Sequence, residues 1–131
     1  MKELSLDYVV AAETAFFSED QRLSIIRIFK EIKVEKDKIE HDSTVYPFFS
    51  IAGKVTGDYG EGVIVGVIHD NGEAMINEVM VKAGEKNKSF LNFIVNVSTI
   101  PLKIGTYFVV VKDEKGELIE KNGLFDVVEF K

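Results

Sequence analysis

The sequence predicts an all-β protein: a single antiparallel β-sandwich over residues 1–131, immunoglobulin-like or jelly-roll-like, with about eight strands and at most short helical turns. Three observations lead there. Leu91, Phe93, Val95 and Val97 recur at every second residue, as do Tyr107, Val109 and Val111, and period two belongs to one face of a strand. Turn signals built on Gly, Asn and Asp recur roughly every 8–12 residues. No stretch carries the 3.6-residue apolar period of an amphipathic helix.

The N-terminal segment from Leu4 to Phe17 is the most ambiguous. Ala and Leu favour a helix, whereas Tyr8, Val9, Val10, Thr14, Phe16 and Phe17 favour a strand. The strand is preferred, with a break or bulge near Ala11-Ala12. Ser18 to Gln21 is polar and turn-like, so Leu23 to Phe29 should return as a hairpin. Glu31 to Thr44 is charged and weakly periodic, which reads as the longest loop. Pro47 lacks a ladder donor and should open the third strand, Phe48 to Thr56. Glu61 to His69 is apolar on both faces and should be central or covered. Asn71-Gly72 supplies positive φ for a type I′ turn into Ala74 to Lys82. The two strands around Pro101 should form the middle of the core. Tyr107, just past Gly105, sits where a sandwich tyrosine folds back to hydrogen-bond a nearby loop. Asp113 to Gly116 is another hairpin turn, and the last strand is broken at Asn122-Gly123.

Composition narrows the function. There is no cysteine, so disulfides, thiolate metal sites and a cysteine nucleophile are excluded. The N-terminus lacks a signal peptide's apolar region, and no apolar run approaches the ~20 residues needed to span a bilayer. Together with the missing cysteines, this points to a soluble cytoplasmic protein. The net charge is −6, and the lysines are interspersed with acids, as from Lys30 to Lys38. That pattern argues against nucleic acid and against an anionic membrane surface as partners.

Catalytic and ligand-binding sets are sparse. His41 and His69 each precede an aspartate, but the sequence places one in the long loop and the other at a strand end. They read as surface residues, and no metal or other cofactor is expected. Asp58, Asp70 and Asp113 fall in turns, where Asp is favoured for backbone reasons; they are too scattered for a calcium loop. No Gly-x-Ser-x-Gly elbow is present, and Gly53 to Gly57 lacks the context of a phosphate loop. Tyr46 and Tyr59 are the only loop aromatics placed to stack on a sugar, and there is no Trp.

The order of segments resembles an uncharacterised family of small bacterial β-sandwich proteins, described as a domain of unknown function. Three stretches carry the likeness: Asp7-Tyr8 with the hairpin into Leu23-Ser24-Ile25-Ile26-Arg27-Ile28-Phe29; Pro47-Phe48-Phe49 running to Thr56-Gly57; and Pro101-Leu102 with Gly105-Thr106-Tyr107. The chain departs from the family at Arg27, where the pattern has glycine, and in a longer insert from Lys33 to Thr44. The resemblance implies a sandwich of bacterial or phage origin and no activity or catalytic residues.

One functional hint is physical. Phe90 and Ile94 lie opposite the Leu91–Val97 face, and Phe108 and Val110 lie opposite Tyr107, Val109 and Val111. Either the long loop covers these residues, or they form an apolar patch for a partner. The expectation is a non-enzymatic binding or structural module acting through a sheet face or edge. Its partner would be an unidentified protein or a second copy. The alternative is a small ligand- or metal-binding sandwich, glycan-binding or hydrolase-like, with a pocket near His41 and His69.

Overall fold

The structure, a computed structural model, describes residues 3–19, 22–35, 48–83, 89–98 and 103–130. His41, Tyr46, Pro47 and Pro101, and most of the expected long loop, lie outside the described residues. The described residues form nine strands and no helix. These are β1 (Ser5–Phe17), β2 (Leu23–Phe29), β3 (Glu31–Glu35), β4 (Phe49–Thr56), β5 (Gly62–His69), β6 (Ala74–Lys82), β7 (Phe90–Val97), β8 (Gly105–Lys112) and β9 (Leu118–Phe130).

Two sheets pack face to face. One has the order β2-β1-β4-β7, the other β3-β9-β8-β5-β6. The pairs β4–β7, β5–β8 and β8–β9 follow the B–E, C–F and F–G pairs of an immunoglobulin-type sandwich rather than a jelly roll. The β1–β2 hairpin widens the smaller sheet. The core lies between the layers. Phe93, Ile51 and Val55 from one sheet meet Tyr107, Val63, Val65, Val67, Val109, Val111 and Val127 from the other, all fully buried. The period-two residues of β7 and β8 therefore do face inward. The two strands belong to different sheets, however, and among the described residues β7 pairs with β4 alone. Phe29, Phe49 and Phe125 close one part of the core as three rings 5.4–5.8 Å apart, and Tyr107 stacks on Phe125 at 4.8 Å.

Four local expectations are corrected. β1 runs straight through Ala11-Ala12; the irregularity falls between Leu6 and Tyr8. Both alanines are fully buried, and their small side chains keep consecutive register with Ile51 and Ser50. The start of the supposed loop, Glu31 to Glu35, is a strand paired in parallel with β9. Its Ile32 and Val34 turn to the core while Glu31 and Lys33 stay in water, a charged pattern suited to an unpaired edge. Asn122-Gly123 does not end a strand; the register shifts there and β9 continues. Finally, the β5–β6 turn is not type I′. The Gly72 N–H bonds the His69 carbonyl and the His69 N–H bonds the Glu73 carbonyl, each at 2.9 Å. Only Gly72, at φ +90°, takes the left-handed conformation in this turn, giving a type I turn with a glycine bulge.

Candidate functional site

The sequence-derived candidates separate into a buried corner and an outer face. His69 ends β5 and is only 5% exposed, so it is not a surface histidine. Its Nε2 lies 2.9 Å from the Ile104 carbonyl, which can only accept, so Nε2 carries the proton. Nδ1 then accepts from the Asn71 N–H at 3.2 Å, with Asp70 Oδ1 at 3.0 Å from the same nitrogen. The ring sits edge-on to Tyr107 at 4.9 Å. Gly105, at φ +131°, lets the chain pass; a Cβ there would come within 2.7 Å of His69 Nε2 and Asp70 Oδ2. Both ring nitrogens are engaged in tying the β5–β6 turn to the start of β8.

The acidic turn residues act locally as well. Asp58 Oδ1 accepts from the Gly60 N–H at 3.3 Å, and Asp113 Oδ1 from those of Lys115 and Glu117 at 3.0 and 2.9 Å. Asp70 Oδ2 accepts from the Thr106 N–H at 3.1 Å. Among the described residues, no three His, Asp or Glu side chains converge on a point that would hold an ion. Tyr59 is 4% exposed and belongs to the core, so it offers no platform for a sugar.

Phe90 and Ile94 do lie opposite the core face of β7, and Phe108 and Val110 opposite that of β8. The four do not form one surface. They occupy the outer faces of different sheets, on opposite sides of the sandwich. The outer face of the five-stranded sheet is polar at close range. Lys121 lies over the Phe108 ring, Lys112 pairs with Glu78, and Thr106 bonds Asp126 at 2.6 Å.

The outer face of the four-stranded sheet is different. By register and pleat it comprises Ser24, Ile26 and Ile28 of β2; Tyr8, Val10, Ala12, Thr14 and Phe16 of β1; Ser50, Ala52, Lys54 and Thr56 of β4; and Phe90, Asn92, Ile94 and Asn96 of β7. In a chain with 29% charged residues, the described charged side chains on this face are Lys54 and, from the irregularity in β1, Asp7, whose carboxylate accepts from the Thr56 hydroxyl at 2.6 Å; the middle of the face, Ala12, Ala52 and Ser50, is buried. The Lys54 ammonium lies 3.8 Å from Asp7 and 4.8 Å from the Phe90 ring centre, so it is partnered within the face. Burial beside Asp7 raises the Tyr8 phenol above its ordinary value, burial being the larger cause. Phe16, Ile26 and Ile28 are 46%, 42% and 54% exposed on the β1–β2 hairpin; Ile28 is level with the last β1–β4 pair at Ala12 and Ser50, and Ile26 and Phe16 lie beyond it. At this end Phe48 is 84% exposed and helps line a cleft of about 260 Å³ with Glu13, Thr14, Ser50, Asn96 and Ser98.

Sequence reasoning missed Phe16, Ile26, Ile28 and Phe48. The signal was present in Leu23 to Phe29, where Ile25 and Ile26 put apolar groups on both sides of one short strand. Comparison with protein-family models, with curated proteins and with solved structures finds no match for this chain.

Proposed function

We propose that this protein is a non-enzymatic binding or structural module that works through the outer face of its four-stranded sheet. The observation that carries this reading is the apolar group Phe16, Ile26 and Ile28, each about half exposed on the β1–β2 part of that face, where the outward strand residues carry no charge. Depletion of charge, with aromatic and aliphatic groups in its place, distinguishes the centre of an interaction surface from ordinary protein surface. The engagement of both His69 ring nitrogens supports the same reading, because it leaves the histidine in a structural role.

The test is an environment-sensitive apolar dye, anilinonaphthalene sulfonate, added to the native protein. Binding that falls in Ile26→Ser and Ile28→Ser, with thermal unfolding unchanged, supports an open docking face. Equal fluorescence in the wild type and both variants overturns it.

A further inference from the structure

We infer that His69, Asp70 and Asn71 form a proton-operated switch in the turn between β5 and β6. A proton taken up at Nδ1 of His69 exchanges that nitrogen's partner, from the Asn71 N–H to the Asp70 carboxylate. Three observations point there.

The first is a conflict at one atom. Nδ1 has the Asn71 backbone nitrogen at 3.2 Å and Asp70 Oδ1 at 3.0 Å. The neutral ring offers a lone pair there, which suits the N–H and opposes the carboxylate oxygen. The imidazolium offers an N–H there, which suits the carboxylate and opposes the amide. Neither state satisfies both neighbours, so the proton decides which one is bound.

The second is that ring and carboxylate are both fixed. Nε2 carries a hydrogen in either state, because it faces the Ile104 carbonyl at 2.9 Å. Turning the ring over would forfeit that bond, so only Nδ1 is free to change. Thr106 holds Asp70 through two bonds. Asp70 Oδ2 accepts from the Thr106 N–H at 3.1 Å, and the Asp70 N–H donates to the Thr106 carbonyl at 2.9 Å. Oδ1 therefore stays beside the ring. Asn71 is exposed in the turn, so water takes its N–H when the ring no longer does.

The third is access and surrounding charge. The ring is 5% exposed, but the Asp70 side chain is 47% exposed, which gives a proton a route from water by way of Oδ1. Among the described residues, Glu73 of the turn also acts on the ring, and Lys103 pairs with that carboxylate at 2.6 Å, so the two add little net charge. Tyr107 of β8 packs against the ring, and its phenol, raised by burial, keeps its proton through the acidic and neutral range. Asp126 of β9 is engaged by the Thr106 hydroxyl. Asp70 is the carboxylate left to bind an imidazolium at Nδ1.

Nitrogen-15 NMR of the labelled full chain, titrated from about pH 8 to about pH 5, tests this. The His69 Nδ1 resonance should pass from an unprotonated to a protonated nitrogen, and the Asn71 amide should follow the same curve. Hydrogen exchange should show Asn71 losing protection about tenfold or more in the acid form, while the Asp70 amide keeps its own. In Asp70→Asn the Asn71 transition should move to lower pH, because a neutral amide is a weaker partner for an imidazolium. His69→Phe should leave the Asn71 amide indifferent to pH. A thermal melt checks that each variant folds, and the wild-type titration decides by itself if one does not. A ring that stays neutral down to about pH 5 overturns the inference, as does an Asn71 amide that ignores the ring's titration. So does a transition that Asp70→Asn does not move, or one that survives in His69→Phe.

Discussion

The Tyr107 hydroxyl accepts a 2.8 Å hydrogen bond from the backbone N–H of Lys103, four residues upstream. The ring is fully buried, between the edge-on imidazole of His69 and the stacked ring of Phe125. One side chain thus joins the hydrophobic core to the loop that leads into β8. Tyr107→Phe keeps the ring and leaves the Lys103 N–H unpaired. A loss of about 1–2 kcal/mol is expected in urea unfolding, with the m-value unchanged.

Tyr107 also sets an alkaline limit. Burial raises its phenol above the ordinary 10.0, and nearby Glu73 and Asp70 raise it further, while the Lys103 hydrogen bond acts the other way. Below pH 10 both folded and unfolded chains hold the proton, and the stabilisation is fully present. As pH rises from 10.0 towards the raised value, the unfolded chain releases its proton first and stability falls. Urea midpoints measured from pH 9 to 11 should decline more steeply for the wild type than for Tyr107→Phe.

Arg27→Gly should be stabilising. Arginine at φ +56° carries a steric penalty of about 1 kcal/mol that glycine does not, and the ion pair lost with it is exposed. Its 3.4 Å contact to Glu13 is worth little in water. A net gain of about 0.5 kcal/mol at most is expected in unfolding free energy, because glycine's looser unfolded state offsets about 0.4–1 kcal/mol of the relief.

Gly53→Ala should be destabilising for a different reason. Gly53 pairs directly with Phe93, whose ring covers the glycine so closely that a Cβ would overlap Cζ and would stand 2.8 Å from the Tyr8 carbonyl. Phe93 is fully buried and has no room to retreat. A loss of about 1–3 kcal/mol is expected, with a lower melting temperature.

Much of the fold was legible because its signals are local. The alternation at Leu91–Val97 and Tyr107–Val111 marks inward faces whatever the strands' partners are. The tyrosine past Gly105 announced its own hydrogen bond. Asn71-Gly72 located a hairpin, but the turn type followed from where the ladder closed, at the Glu73 carbonyl. β3 escaped notice because a charged five-residue strand is defined by the β9 edge it meets, which is nearly a hundred residues away in sequence.

The candidate site shows the same division. The sequence by itself determined which residues share a side of each strand, because side-chain alternation is a property of one extended chain. Only the tertiary structure decided which sheet each strand joins. That choice set Phe90 and Ile94 apart from Phe108 and Val110, placed Ile26, Ile28 and Phe16 beside Phe48, and buried His69 under a carbonyl 35 residues away. The physical reason is that burial and charge depletion are properties of surfaces assembled from several strands, and sheet order depends on long-range pairings that no local periodicity encodes.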